Sequence, residues 1–133
     1  MKIALLNDTH FGCRNDSPAF IEYQNRFYDE LFFPYIIENK IDTLIHLGDV
    51  VDRRKFINFN TAHNFQQKFW KRLWDLKIDT HIILGNHDTY YKNTNKVNSI
   101  QQLCTSFDGI NEPWIYDGPK EVELGGCRML FLP

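Results

Sequence analysis

Three short polar clusters, each directly after an apolar run, constrain this chain more than any other feature of its sequence. The apolar runs cover residues 2–7, 42–47 and 78–84 and have the length of buried β-strands. The clusters that follow them are Asp8-Thr9-His10, Gly48-Asp49-Val50-Val51-Asp52 and Gly85-Asn86-His87-Asp88. They lie roughly 40 residues apart, about the length of one β-α-β unit. Such spacing brings the clusters to one edge of a parallel sheet, where open α/β sheets bind their ligands.

The segments between these strands carry helical patterns. In residues 19–39 apolar side chains recur at steps of three and four, and Pro34 predicts a kink or two helical pieces. Residues 62–77 carry a second apolar stripe, with Asn60 or Thr61 as the cap. Strands that alternate with helices predict an α/β domain with a parallel sheet. The sequence further predicts a loop at 90–98, a short helix at 99–107 and short strands at 114–116, 121–124 and 128–132.

Composition favours an intracellular protein of one domain or a piece of one. Apolar residues make up 43% of the 133 residues, which is enough for a packed core. Cys13, Cys104 and Cys127 show no CxxC spacing, so we expect reduced thiols. The chain has no signal-peptide pattern and no apolar run of about 18 residues, which predicts a cytoplasmic location and no membrane partner. The net charge of −2 does not indicate a nucleic-acid surface, although bound cations would add positive charge.

The residue types in the clusters are those of metal sites. Asp8 and His10 lie two apart in what we expect to be extended backbone, so both side chains point to one face and can bind one ion. Asp49 follows Gly48, which lets the backbone turn sharply, and a carboxylate there can bridge two cations about 3.5–4 Å apart. Taken singly, each pair could also be ordinary turn chemistry.

The third cluster adds a neutral ligand and a free imidazole. The amide oxygen of Asn86 is a hard ligand, and His87 can remain metal-free as an acid or a charge stabiliser. Three such pairs at three consecutive strand ends are hard to explain as turns. The sequence therefore predicts a metal centre at this edge of the sheet.

The order D-x-H, G-D-x-x-D, G-N-H-D resembles the first three of five motifs of the calcineurin-like metallophosphoesterase superfamily. Within it, the segments DTHFGCRN and GDVVDRRKFINFNT resemble recombination nucleases of the SbcD type, including those of phages. The resemblance implies the N-terminal part of a four-layer α/β/β/α sandwich, mainly its first sheet with flanking helices. Because the chain ends at Pro133 directly after an apolar strand, we expect residues 1–133 to be a domain truncated at its C-terminus.

The resemblance also implies roles for individual residues. Asp8 and His10 would bind a first metal ion, Asp49 would bridge two ions, and Asn86 would bind the second. His87 would contact the scissile phosphate, and Asp52 would orient His87 by a hydrogen bond. The implied cofactors are two divalent ions, most commonly Mn²⁺. The implied partners are DNA, an SMC-like ATPase of the SbcC type and a second copy of the chain, in the host cytoplasm if the protein is phage-encoded.

The sequence departs from the family pattern after the third motif. The family completes its centre with a further His and a G-H-x-H motif, whereas no histidine follows Asp88 here. The remaining histidines are His46, interpreted as a core or supporting residue, His81, interpreted as structural, and His63, interpreted as solvated. We therefore expect weak metal binding and little activity from this chain.

Two alternatives to a nuclease remain open. Asp52-Arg53 also resembles the serine/threonine phosphoprotein phosphatases, which makes a phosphomonoesterase the second candidate; Arg53 would hold a phosphate or be a solvated loop charge. The third candidate is a non-catalytic fragment that acts as an interaction module. The helix at 62–77 has more aromatic surface than one core face needs, so a homodimer contact or packing on the sheet is open for four residues: Phe69, Trp70, Leu73 and Trp74.

Overall fold

The computed structural model describes residues 1–104 and 112–133. Its strands are β1 (Ile3–Leu6), β2 (Thr43–His46), β3 (Asp79–Ile83), β4 (Thr89–Tyr91), β5 (Thr94–Asn98), β6 (Trp114–Tyr116), β7 (Lys120–Leu124) and β8 (Cys127–Phe131). Its α-helices are α1 (Cys13–Asp16), α2 (Pro18–Phe27), α3 (Phe33–Glu38), α4 (Phe59–Phe65), α5 (Lys71–Asp75) and α6 (Ser99–Leu103). The predicted helix at 99–107 extends into residues outside this description.

The centre of the fold is a four-stranded sheet in the order β1-β2-β3-β6, with every pair parallel. Ile3 pairs with Thr43, and Thr43 pairs with Asp79, so the first three strands start level. Strands in register that run the same way also end level. The predicted α/β class with a parallel sheet is confirmed, and it is the reason that the three polar clusters emerge at one edge.

Both long helices contain a stretch of wider π-helix. The residues of Tyr28–Phe32 connect α2 to α3, and those of Gln66–Trp70 connect α4 to α5. Pro34 has no N–H, and its ring would clash with the carbonyl of Glu30 in regular α-geometry. A π-turn just before Pro34 relieves this clash, so the predicted interruption lies in the turn that precedes the proline.

The main core lies between the helices and one face of the sheet. Its fully buried side chains include Phe33, Leu44 and Phe65. Phe69, Trp70 and Leu73 belong to the same core, with 2%, 3% and 0% of their surfaces exposed, and Trp74 packs against it. This burial corrects the prediction of a dimer contact for Phe69, Trp70 and Leu73, because their side chains have no surface left for a second chain; Trp74 is half-buried in the same packing.

The other face of the sheet is covered by the β7–β8 hairpin. Ile45 and Ile83 of the sheet pack against Leu124 and Phe131 of the hairpin. Leu5 of the edge strand β1 remains 66% exposed. The fold is therefore mainly one sheet with flanking helices, as predicted, with a short hairpin on its second face.

Two local predictions are wrong. The Asn-rich residues 90–98 form most of an antiparallel pair, β4–β5, in which Thr89 pairs with Asn98. Asparagine is depleted in strands, so propensity pointed to a loop. Helix α4 is capped by Asn58, whose side chain accepts the Asn60 N–H at 2.8 Å, and begins earlier than the Asn60 or Thr61 cap predicted.

Across residues 1–104 and 112–133, no helix is both long and apolar enough to cross a membrane. Cys13, Cys104 and Cys127 all lie in this part of the chain and are free thiols, as predicted.

Candidate metal centre

The first two clusters run side by side beyond the ends of β1 and β2. The Asp8 N–H donates to the Gly48 carbonyl at 3.2 Å, and the His10 N–H donates to the Asp49 carbonyl at 3.0 Å. The Phe11 N–H continues the series to the Val50 carbonyl at 2.8 Å. These bonds fix the two loops against each other before any side chain is considered.

The backbone of these loops is left-handed at three of the candidate metal ligands. Asp8, His10 and Asp49 have φ angles of 51°, 42° and 53°. Left-handed backbone is costly for residues other than glycine and clusters at functional sites. The extended backbone predicted for Asp8 and His10 is wrong, yet the tight turn still brings their side chains together.

The third cluster approaches the second closely because residue 85 is glycine. A Cβ at Gly85 would lie 2.2 Å from both the backbone nitrogen and Oδ1 of Asp49. No side chain fits at that distance. Gly85 therefore sets the separation between the loops that carry Asp49 and His87.

Two overlapping groups of ligand-type side chains share His10. In the first group, His10 Nε2 lies 3.6 Å from Asp8 Oδ1 and 3.9 Å from Asp49 Oδ2. In the second, His10 Nδ1 lies 3.5 Å from Asp52 Oδ1, and the His10 and His87 rings meet edge to face at 5.0 Å. Within each group the potential ligand atoms lie within 4.8 Å of one another.

His87 is held by two backbone contacts. Its Nδ1 pairs with the carbonyl of Asp52 at 2.5 Å, and its backbone N–H donates to Asp49 Oδ1 at 2.9 Å. A carbonyl only accepts, so Nδ1 carries the proton and Nε2 is the nitrogen left for other partners. The predicted hydrogen bond between His87 and the Asp52 carboxylate is corrected. His87 donates to the main-chain carbonyl of Asp52 instead, because the Asp52 carboxylate faces His10.

Asn86 lies in the turn after β3 with an exposed side chain. The main-chain carbonyl of Asn86 accepts a long hydrogen bond from Thr89 Oγ1 at 3.4 Å. The structure thus places Asn86 at the predicted edge beside His87, with its side chain facing solvent.

Asp88 received no role from the sequence and has a central one in the structure. Its buried carboxylate accepts the N–H groups of Val50 at 2.8 Å and Val51 at 3.1 Å through Oδ1, and that of Gly85 at 2.9 Å through Oδ2. Burial raises the pKa of this carboxyl, and the three N–H donors oppose that rise. In the sequence, the one sign of this role was that Asp88 is the fourth residue of the G-N-H-D cluster.

His46 joins the first two loops from beneath. It is 1% exposed, its Nδ1 accepts the Gly48 N–H at 3.2 Å, and its Nε2 lies 3.0 Å from Thr9 Oγ1. The Thr9 hydroxyl donates onward to the Val50 carbonyl at 3.0 Å. Burial lowers the pKa of His46 to about 4, so it stays neutral with its proton on Nε2. This agrees with its interpretation as a core or supporting residue.

Arg53 is engaged within the protein. Its Nη2 lies 2.7 Å from Asp16 Oδ2 and donates to Asn15 Oδ1 at 2.8 Å. This pair ties the loop after β2 to the turn at α1. Arg53 is therefore not a free solvated charge in this structure, and its role as a phosphate ligand stays a prediction.

The donor set fits a divalent cation. Carboxylates and imidazoles are ligands that Mn²⁺, iron and zinc accept. His10 Nδ1 is buried and has no hydrogen-bond partner among the described residues, although three carboxylates surround its ring. A cation beside this ring would balance these carboxylates.

The comparison with known families agrees with the site. Residues 1–127 match the family model of calcineurin-like phosphoesterases. The chain belongs to the calcineurin-like phosphoesterase family, as its motifs predicted, and this family uses divalent metals.

The chain is also similar to two individual proteins. It is 32% identical over 133 residues to exonuclease subunit 1 of Enterobacteria phage T4, a match that covers all of this chain and 38% of that protein. The chain thus spans well under half the length of this curated relative. A solved protein of unknown function from Aquifex aeolicus is 23% identical with a TM-score of 0.44, over 96% of this chain and 57% of that one.

Replacing Asp88 tests whether its carboxylate holds the loops together. In Asp88→Asn an amide N–H₂ faces one of the three N–H donors, so we expect the free energy of unfolding to fall by about 2 kcal/mol. Hydrogen exchange at the Val50 and Val51 amides should accelerate. Urea unfolding measures the loss, with the exposed Asp75→Asn as the matched control expected to change by under about 0.5 kcal/mol. Equal losses in both variants would contradict this role.

The buried neutral His46 predicts a specific pH dependence of stability. Its pKa is depressed in the fold, so the unfolded chain binds the proton first as pH falls below about 6.5. Its contribution, about 3 kcal/mol, is present above pH 6.5 and is lost as pH falls to about 4. Urea unfolding between pH 7 and 4 should show a shallower loss in His46→Gln, while the exposed His63→Gln keeps the parent slope. A His46→Gln slope equal to the parent's would refute this assignment.

Proposed function

We propose that this chain supplies the first part of the catalytic centre of a metal-dependent nuclease that hydrolyses phosphodiester bonds in DNA. The observation that carries the proposal is the convergence of Asp8, His10, Asp49, Asp52 and His87 at one sheet edge, in two groups whose ligand atoms lie within 4.8 Å. The similarity to a phage protein named as an exonuclease subunit supports DNA as the substrate.

Asp8, His10 and Asp49 would hold the first ion, which agrees with their grouping around His10 Nε2. Asp49 and Asn86 would hold the second, with Mn²⁺ as the expected metal. When bound, two such ions withdraw charge from the phosphodiester and lower the pKa of a water between them. Asp49 is suited to the shared position because Gly85, which has no side chain, makes room for the Asp49 carboxylate where two loops meet.

His87 would serve the leaving oxygen. The Asp52 carbonyl holds its Nδ1–H, which leaves Nε2 as the nitrogen available to a substrate. In its protonated form, His87 donates from Nε2 to the oxygen that departs. The Asp52 carboxylate lies 3.5 Å from Nδ1 of the neighbouring His10 ring.

We further propose that residues 1–133 are the N-terminal part of the phosphoesterase domain. The support is the lack of any histidine after Asp88 and the 38% share of the curated relative that the chain covers. With fewer ligands than the family pattern, the chain should bind Mn²⁺ weakly and hydrolyse slowly. An SMC-like ATPase partner, a homodimer and a host-cytoplasm location follow from the resemblance and belong to the same proposal.

A phosphomonoesterase is the weaker candidate. The Asp52-Arg53 pair suggested it by resemblance, and in the structure Arg53 is engaged with Asp16 at 2.7 Å.

Substrate preference and one substitution test the proposal together. We expect Mn²⁺-dependent hydrolysis of bis-p-nitrophenyl phosphate and linear duplex DNA, faster in a longer protein that continues this chain than in the 133-residue chain. His87→Ala should reduce the rate about 100-fold or more, since general acid catalysis contributes on that order. His63→Ala, an exposed histidine, is the matched control and should keep the parent rate. Hydrolysis of p-nitrophenyl phosphate alone would support the phosphomonoesterase instead.

A further inference from the structure

A pocket of about 190 Å³ lies beside the candidate metal centre. Its walls are the loop after β2, the β4–β5 hairpin and α6, and they include Arg54, Lys55, Phe56 and Tyr90. The pocket shares both of its main loops with the centre, because Arg53 follows Asp52 and Tyr90 lies three residues after His87. The pocket and the centre therefore lie on neighbouring residues of the same two chain segments.

The charge around this pocket differs from that of the whole chain. The sequence between Asp52 and Asp75 holds six lysines and arginines and no acidic residue. The sequence between Asp88 and Asp108 holds two lysines and no acidic residue. Three cations line the pocket, and among the described lining residues none is acidic. Because Asp16 pairs with Arg53, it is Arg54 and Lys55 that make this surface attract anions in a chain of net charge −2.

One of the three cations lacks an internal partner. Arg53 is neutralised by Asp16 at 2.7 Å, whereas Arg54 Nη1 is buried without a hydrogen-bond partner among the described residues. A buried donor without an acceptor is costly, and a phosphate oxygen is an acceptor that guanidinium groups prefer. Arg54 is thus a group that an anionic ligand would satisfy.

The pocket also exposes aromatic faces next to its cations. Phe56 is 66% exposed and lies under the Arg53 guanidinium at 4.8 Å; Tyr90 is 38% exposed with the Lys55 ammonium 5.7 Å above its ring. Proteins bind single strands by stacking bases on such rings while neighbouring cations contact the phosphates. Bases within a duplex are stacked on each other and cannot use these rings.

We propose that this basic–aromatic pocket, formed by Arg54, Lys55, Phe56 and Tyr90, holds an unpaired nucleotide of the DNA strand whose phosphodiester reaches the metal centre. The proposal rests on the proposed function and adds a substrate class to it: DNA with an unpaired end or a locally opened strand. Tyr90 and Phe56 stack the base, and Arg54 contacts its phosphate.

Metal-free binding measurements test the pocket separately from hydrolysis. Fluorescence anisotropy in EDTA compares a labelled oligo-dT strand, an abasic strand of equal length and a duplex of equal length. We expect the 133-residue chain to bind oligo-dT more tightly than either of the others. Tyr90→Ala and Phe56→Ala should each weaken oligo-dT binding about fivefold or more and leave abasic-strand binding unchanged.

The proposed contact between Arg54 and a phosphate is tested by the salt dependence of binding. Arg54→Gln should weaken binding of oligo-dT and of the abasic strand alike, and should reduce the slope of log affinity against log salt by about 0.7. Tyr90→Phe keeps the ring, and Tyr35→Ala removes a 58% exposed tyrosine elsewhere, on α3, so both should bind as the parent does. Circular dichroism checks that each variant is folded.

Two results would overturn the proposal. One is unchanged oligo-dT binding in Tyr90→Ala and Phe56→Ala, and the other is equal affinity of the parent chain for oligo-dT and for the abasic strand. Because binding is read without metal or turnover, absence of hydrolysis in the activity assay would contradict the proposed function and leave the binding result standing. Loss of binding in Tyr90→Ala with retention in Tyr90→Phe would support the stacking role.

Discussion

The buried carboxylate of Asp88 is the interaction on which the candidate centre depends. It binds the N–H groups of Val50 and Val51 on one loop and of Gly85 on another, and so holds Asp49 and His87 at their observed separation. The missing side chain of Gly85 allows that approach, since any Cβ there would overlap Asp49. A charged group buried in this way is tolerated only when donors satisfy it, and the loop ends supply those donors.

The parallel sheet and the core beneath it hold these loops in place and so stabilise their arrangement. Strands that start level and end level deliver the clusters to one edge, and the aromatic core holds the helices that flank them. At the sheet edge, the left-handed backbone at Asp8, His10 and Asp49 and the closeness of the Asp8 and Asp49 carboxylates are unfavourable by themselves. A bound cation would offset the repulsion between these carboxylates. The negative charge that destabilises this arrangement is therefore the same charge that would bind the cation.

Sequence reasoning predicted the parts of the fold that apolar periodicity controls. β1, β2 and β3 lie within a residue or two of their predicted runs, because a strand buried on both faces is continuously apolar. It missed the β4–β5 hairpin, where tertiary pairing overrides the weak strand propensity of asparagine. It also assigned the Asp52 carboxylate to His87, since a linear sequence cannot distinguish a side-chain acceptor from a main-chain one. The acid-free segments beside Arg54 and Tyr90 were readable in the sequence, but net charge concealed them.

The proposed cation site has His10 as a ligand and His87 beside it, with their rings 5.0 Å apart, whereas His63 and His81 lie elsewhere in the fold. Histidine side-chain NMR signals recorded during Mn²⁺ titration test it directly, because the paramagnetic ion broadens nearby nuclei even when binding is weak. The account predicts that the His10 and His87 signals disappear first, while those of the exposed His63 and of His81, which pairs with Tyr116 and Asp79 on β3, persist. Uniform broadening of all histidines, or loss of His63 or His81 before His10 and His87, would contradict it.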